Sequence, residues 1–374
     1  MRSCISFLKV PLFALILLCL FSACGTRTPA QTENQLQDQS HMQQVPTSIN
    51  LVHQTALSGN GCGKVSPITP GTSENITFLS GGIERLVRLH IPTDYKRTVE
   101  IPFVLNFHGH SSTAAKQETM TGMSQLANSA NFIVAYPQGT IGLDRHTGWN
   151  TGPWNYPHVN DVAFTKSIIT NVESMFCVNP DRIYAVGFSN GGGFTNVLAC
   201  KLSNTIAAFG IVSGGMHPVA GGCTPTRPVP IIELHGTADK VVPYRGNPKN
   251  DAEPDIPQWL AHWAALDKCS SQPQVFLQQG RYMAERWSSC AGNASIVHYR
   301  ITGGTHVWPG SIGSHETLDA TDVLWNFVSN YRLPSSSSSP MIVKEPPTQN
   351  NVLPTITATP AAPPIVKNAQ DRAS

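Results

Sequence analysis

Gly187-Phe188-Ser189-Asn190-Gly191 lies between a β-branched and aromatic run, Arg182–Gly187, and a helix-forming stretch from Asn190 to about Leu202. A serine in so tight a strand-to-helix turn is forced into a strained backbone conformation. Only hydrogen side chains at the flanking glycines clear the neighbouring strand and helix. The element presents the Ser189 hydroxyl at the C-terminal edge of a sheet. It also aims the amides of the following helix at any oxyanion that forms there.

The rest of the chain fits that unit. Ile101–Phe107, Phe132–Tyr136, Ala207–Val212, Val229–Leu234 and Ser295–Ile301 read as further strands. Helices are predicted from Asn160 or Asp161 to about Phe176, over Ile256–Leu266 and over His315–Asn330, the first with Phe164, Ile168, Val172 and Met175 on one face. Continuous apolar strands separated by amphipathic helices predict an α/β fold, a mostly parallel central sheet with helices on both faces.

A serine hydroxyl is too weak an acid to attack an ester alone and needs a base with an orienting carboxylate. In sheets built around such a turn these follow the serine in the order Asp, His. Asp239 comes just after the strand Val229–Leu234, in His235-Gly236-Thr237-Ala238-Asp239. His306 comes just after Ser295–Ile301, in Gly303-Gly304-Thr305-His306-Val307-Trp308-Pro309. Two backbone donors are expected to form an oxyanion hole: the N–H of Asn190, and that of His110 in the loop His108-Gly109-His110-Ser111-Ser112. His108 and His110 lack an appropriately spaced third ligand, so neither a metal nor an organic cofactor is expected. No Gly-Lys-Ser/Thr phosphate loop is present. Trp149, Trp154 and Trp308 are candidates to line a substrate groove, because flat rings stack on sugars or on an aromatic acyl group. Trp308 in particular could stack on a cinnamoyl ring.

Outside this body the sequence changes character. Arg2 and Lys9 precede a nearly unbroken apolar run, Val10 to Leu20, and Ser22-Ala23-Cys24 follows. Residues 1–24 read as a lipoprotein-type signal with Cys24 as the lipidation site. Residues 25–58 are rich in Gln, Thr and Ser, contain no aromatic residue, and read as a disordered tether. The folded body is about 59–333, and the Ser/Pro/Thr-rich stretch 334–374 reads as a disordered tail. Six cysteines remain in the body, an even number that suits disulfides in an exported domain. Six cysteines allow fifteen pairings. The least demanding joins Cys62 to Cys177, Cys200 to Cys223 and Cys269 to Cys290. Lys+Arg 25 against Asp+Glu 23 leaves a net charge of +2, too little for a nucleic-acid partner.

Gly61-Cys62-Gly63-Lys64, His108-Gly109, Gly148-Trp149-Asn150, Asn160-Asp161-Val162, Gly187-Phe188-Ser189-Asn190-Gly191-Gly192, His235-Gly236-Thr237-Ala238-Asp239 and His306-Val307-Trp308-Pro309 occur in that order. The set resembles the feruloyl esterase / polyhydroxybutyrate depolymerase-like family of secreted α/β-hydrolases, over essentially all of 59–333. The resemblance implies the α/β-hydrolase fold, a catalytic triad of Ser189, Asp239 and His306, and the cysteine pairing given above. Relatives often have Asp-Asp in place of Asn160-Asp161, which leaves Asp161 as a helix cap or loop anchor. They often have a small or glycine-rich loop in place of His110-Ser111-Ser112, which alters the acyl pocket.

A serine esterase is therefore expected, acting without cofactor on acyl esters of xylan-type plant polysaccharide fragments. The alternative substrates are polyhydroxybutyrate-like polyester oligomers. A reading from a different class is a surface lipoprotein that binds polysaccharide through its tryptophans without catalysis. The expected protein is an exported monomer, held at the membrane by lipid on Cys24. Cys24→Ala should then release the body into the medium; a wild-type N-terminus that is unmodified and begins beyond residue 24 would remove the anchor.

Overall fold

The computed structural model of the chain describes residues 60–151, 159–247 and 254–334. The signal with Cys24, the 25–58 tether, Trp154 and the tail beyond residue 334 lie outside the described residues. In chain order the strands are β1 (Ser73–Ser80), β2 (Ile83–His90), β3 (Ile101–Phe107), β4 (Ile133–Pro137), β5 (Thr140–Ile141), β6 (Thr147–Gly148), β7 (Val178–Phe188), β8 (Ala208–Val212), β9 (Ile231–Gly236), β10 (Gln274–Gln279), β11 (Tyr282–Trp287) and β12 (Ile296–Ile301). The helices are α1 (Ala114–Thr121), α2 (Met123–Ala130), α3 (Asp161–Met175), α4 (Asn190–Lys201), α5 (Ile256–Leu266) and α6 (Ala320–Val328).

Ten strands form one sheet in the order β1-β2-β4-β3-β7-β8-β9-β12-β11-β10. From β4 through β12 every neighbouring pair is parallel. The antiparallel pairs β1–β2 and β10–β11 extend the two ends. Neither end hairpin was expected from the apolar runs, because the outer strands β1 and β10 bury at most one side chain each.

Alternation along buried strands splits the core into two layers. Phe103, Leu105 and Phe107 of β3 face the layer that holds Phe164 of α3, Phe194 of α4 and Trp259 of α5. Val104 faces the other layer, with Met123 and Ala127 of α2 and Val323, Leu324 and Phe327 of α6. Successive residues of a strand point to opposite faces, so a strand covered on both sides must be apolar throughout. All seven residues of β3 are buried.

The strand order reverses beside β3. The chain passes from β3 to β4 on one side, then returns to place β7 on the other. The loops after β3 and β7 therefore emerge at the switch point of the sheet, on the C-terminal edge where ligands bind in open α/β sheets.

Two local expectations need refining. The helix predicted from His315 begins only at Ala320, capped by Asp319, whose side chain accepts from Thr321 N–H. Gly310, Gly313 and His315 have positive φ, so the stretch before the cap turns repeatedly and cannot continue a helix. At the start of α3, Asn160 supplies the cap by accepting from Ala163 N–H. Asp161 instead pairs with buried Arg85 at 2.9 Å and accepts from Asn150 N–H at 2.9 Å. It is an anchor between β2, α3 and the loop at 150.

Three disulfides close the structure: Cys62–Cys177 with a sequence separation of 115, Cys200–Cys223 with 23, and Cys269–Cys290 with 21. In the chain-entropy picture the long tie contributes about 5 kcal/mol and each short one about 3. Replacing Cys62 and Cys177 together by serine should therefore cost more in urea unfolding than replacing Cys269 and Cys290. The opposite ranking would show that the long tie does little to restrict the unfolded chain.

Candidate active site

Ser189 occupies φ 54 and ψ −122, a conformation open to few residues with a side chain. Such a backbone costs about 1–3 kcal/mol and persists only where its surroundings over-determine it. Here Ser189 N–H donates to Val212 O at 2.9 Å, and Ser189 O accepts from Gly193 N–H at 2.9 Å. The two glycines of the motif are obligatory. A Cβ on Gly187 would lie 2.3 Å from Gly191 O, and one on Gly191 would lie 2.3 Å from Phe107 O. β7, α4 and the end of β3 thus meet backbone to backbone around the serine.

His306 Nε2 is 2.9 Å from Ser189 Oγ, and its Nδ1 is 2.7 Å from Asp239 Oδ2. Three strand ends supply the three residues: Ser189 follows β7, Asp239 follows β9 and His306 follows β12. The last two loops are laced together, since Ala238 N–H donates to Gly304 O and Thr237 N–H to Ile301 O, both at 2.9 Å. Asp239 Oδ1 accepts from the N–H groups of Val241 and Val242 at 2.8 and 2.9 Å. Burial alone would raise the Asp239 carboxyl. The His235 ring 3.5 Å away and hydrogen bonds from His306 and Val242 N–H outweigh it and hold the group well below the usual carboxylate range. The acid is ionised, His306 donates to it from Nδ1, and Nε2 is left to accept the Ser189 proton.

The loop after β3 presses on the serine, for a Cβ on Gly109 would sit 3.2 Å from Ser189 Cβ. The structure therefore brings together the segments that carry His110 and Asn190, the two expected oxyanion donors. The Asn190 side chain is engaged elsewhere: its Oδ1 accepts from Trp149 N–H at 2.7 Å, and its Nδ2 donates to Thr151 Oγ1 at 2.9 Å. The His110 ring turns outward, with Nε2 2.7 Å from Asp144 Oδ2.

His108 braces this loop from beneath. Its Nδ1 donates to Gly109 O at 2.7 Å, and its Nε2 accepts from Gly139 N–H at 2.9 Å. Both ring nitrogens are thereby engaged within the protein. Burial, helped by the nearby charges of Arg85 and His110, pushes the pKa down to about 4 against the opposing Gly109 hydrogen bond. Among the described residues no group of three His, Cys, Asp or Glu side chains is arranged to hold a metal.

The tryptophans require a correction. Trp149 is 0% exposed and Trp308 1%. Trp149 stacks on Phe194 at 5.3 Å, meets Phe107 edge-on at 5.2 Å, and donates from Nε1 to His108 O at 2.9 Å. Trp308 donates from Nε1 to Thr321 Oγ1 at 3.0 Å and meets Phe188 edge-on at 6.4 Å. Neither lines a groove. Large rings with a single polar atom are suited to filling the space beneath long loops, and here they support the loops of His108 and His306. Glu233, His298 and Tyr244, grouped around His235 behind Asp239, were not singled out from sequence. Their signal was the polar pair Glu233 and His235 inside an otherwise apolar strand.

A mostly parallel sheet, a switch point beside β3, a strained serine after β7 and a hydrogen-bonded Ser–His–Asp row define an α/β-hydrolase. Comparisons with known proteins place the chain more closely. The family model described as "Esterase PHB depolymerase" matches residues 89–227. Feruloyl esterase B of Piromyces equi is 29% identical over 266 residues, covering 67% of this chain and 46% of that protein. The bifunctional acetylxylan esterase/xylanase of Neocallimastix patriciarum is 27% identical, covering 65% of this chain and 33% of that protein. A probable feruloyl esterase C of Aspergillus niger is 30% identical, covering 54% of this chain and 68% of that protein. The chain thus spans less than half the length of the first two relatives. Among solved structures, the acetyl xylan esterase from Aspergillus awamori shares the fold with a TM-score of 0.50 at 15% identity, covering 63% of this chain and 94% of that one. The chain belongs to the feruloyl esterase / polyhydroxybutyrate depolymerase-like family of α/β-hydrolases.

The buried His108 makes the site acid-sensitive. Its folded pKa lies below the unfolded value of about 6.5, so its contribution is complete above that pH and is lost as pH falls toward 4. The loss amounts to about 3 kcal/mol. In urea unfolding, the stability advantage of the wild type over His108→Asn should shrink by about that amount between pH 7 and pH 4. A difference that is independent of pH would contradict a neutral, buried His108.

Proposed function

We propose that the chain is an exported serine carboxylic-ester hydrolase acting on acyl esters of plant cell-wall polysaccharide, feruloyl esters foremost. The observation that carries this reading is the continuous row from Ser189 Oγ through His306 to Asp239, with links of 2.9 and 2.7 Å. Such a row has no use in a module that only binds sugar.

The chemistry is a two-step acyl transfer. His306 Nε2 takes the Ser189 proton as Oγ attacks the ester carbonyl carbon, and Asp239 stabilises the imidazolium that results. The backbone N–H groups of His110 and Asn190 receive the oxyanion, assisted by the N-terminus of α4. The tetrahedral intermediate collapses as His306 returns the proton to the departing alcohol oxygen, leaving an ester on Ser189. Water, deprotonated by His306, repeats the sequence and releases the acid. Every proton is carried by the chain's own residues, and no cofactor is needed.

The substrate class is supported by kinship: relatives include feruloyl esterases and an acetylxylan esterase. With Trp149 and Trp308 enclosed, ring stacking no longer adds to it. The family model's description favours a second reading, hydrolysis of hydroxybutyrate oligomers by the same residues. Three disulfides suit an extracellular protein, and acylation of Cys24 would hold it at a membrane surface.

Ser189→Ala should stay folded and lose on the order of 10⁵–10⁶ in kcat on p-nitrophenyl acetate. Wild-type turnover by the purified variant would remove the hydrolase reading. In the same preparation, kcat/KM should be higher on methyl ferulate or feruloylated arabinoxylan oligomers than on hydroxybutyrate trimers. Cleavage of the trimers with no release of ferulate would instead select the second substrate.

A further inference from the structure

Behind Asp239 lies a set of buried ionisable groups that a serine, a histidine and an aspartate do not by themselves require. Glu233 and His235 are two residues apart on β9, so their side chains share a face, and both are 0% exposed. His235 Nδ1 is 2.8 Å from Glu233 Oε1. His235 Nε2 is 2.9 Å from the Val242 carbonyl oxygen and 3.5 Å from Asp239 Oδ2. On β12, His298 sits opposite Glu233 in the parallel register, with Nδ1 2.7 Å from Glu233 Oε2 and Nε2 2.9 Å from the Tyr244 hydroxyl.

The atoms facing His235 decide its charge. A carboxylate and a carbonyl can only accept hydrogen bonds. A neutral imidazole has one N–H and one lone pair, so it would set a lone pair against an acceptor in a site without water access. An imidazolium donates to both. Glu233 then serves as counterion to His235, while His298 Nδ1 lies 2.7 Å from its other oxygen in a geometry that makes no hydrogen bond. Burial by itself would favour the neutral ring, but Glu233 and the contact with Asp239 outweigh it and raise the His235 pKa to about 10. Other ionisable groups surround the pair. Arg300 lies opposite His235 in the β12 register, Glu285 of β11 lies opposite His298, and His306 stands on the far side of Asp239.

We propose that His235, kept charged by Glu233, is a positioning residue for the triad: it holds the Asp239 carboxylate from behind and sets the pH at which His306 takes up a proton. The inference rests on reading Ser189, His306 and Asp239 as the ester-hydrolysing triad. The Asp239 oxygen that accepts from His306 at 2.7 Å is also the one facing His235. A fixed cation behind that oxygen fixes its rotamer. It also offsets part of the negative potential that Asp239 sets at the His306 ring. The charges alternate from Glu233 through His235 and Asp239 to the imidazolium formed on His306 during reaction.

The replacement Glu233→Gln with His235→Gln removes both charges while keeping polar side chains of similar reach. Its kcat on p-nitrophenyl acetate should fall about 10-fold or more with KM little changed, and the acid limb of kcat/KM should move up by about one pH unit. Packing alone would lower the melting temperature and leave that limb in place, and an unmoved limb overturns the proposal. A second measurement needs neither a variant nor activity. In wild-type protein labelled with ¹⁵N-histidine, both ring nitrogens of His235 should remain protonated from pH 5 to pH 9. A neutral His235 ring at pH 7 overturns the proposal. Loss of the triad reading would show separately, as Ser189→Ala retaining turnover.

Discussion

The close approach of three backbones at Ser189 is the constraint on which the rest of the site depends. With Gly187 and Gly191 each facing a carbonyl oxygen at 2.3 Å from where a Cβ would stand, β7, α4 and the end of β3 cannot be moved apart by even one methyl group. That contact fixes the serine in its strained conformation, brings the Gly109 loop against it, and sets the origin from which the His306 and Asp239 loops must reach. The strain is tolerated because it is surrounded by a sheet buried on both faces, where no local relaxation is possible without opening the core.

Electrostatics then decides what the geometry can do. Asp239 is buried, which by itself would favour the neutral acid, yet it receives hydrogen bonds from His306 and two backbone amides and lies 3.5 Å from the His235 ring. Charge is balanced by partners rather than by solvent. His108, a few residues from the same edge, is kept neutral by the opposite means, with a carbonyl at one nitrogen and an amide N–H at the other. The charge of a buried group at this edge is thus set by whether its neighbours donate or accept.

The buried tryptophans show how a sensible reading of residue type can miss. Trp149 and Trp308 stand beside site residues in the chain, and nearness in sequence suggested a substrate wall. In the fold, Trp149 lies beneath the loop of His108, and Trp308 turns away from His306 toward α6, where Thr321 takes its indole proton. An aromatic ring beside a site loop has two faces of space to fill, and only the packing of other elements determines whether one of them opens to solvent.

By itself the sequence determined the parallel core, the serine turn, and the aspartate and histidine that follow in chain order and meet it in the fold, because each rests on local rules: apolar runs, glycines that clear a backbone, and polar residues just past a strand end. The three cysteine pairs were legible as the simplest of many choices and as what the family resemblance implies. The end hairpins were less legible, since β1 and β10 have few buried side chains and show themselves chiefly through the two-residue loops Gly81-Gly82 and Gly280-Arg281. Tertiary structure alone decided the pairing of Arg85 with Asp161, the enclosure of the tryptophans, and the cluster of Glu233, His235, His298 and Tyr244 behind Asp239. Each of these joins residues far apart in the chain, and whether a polar side chain is an exposed group or a buried partner depends on neighbours that only the register of β9 against β12 and the packing of the helices supply.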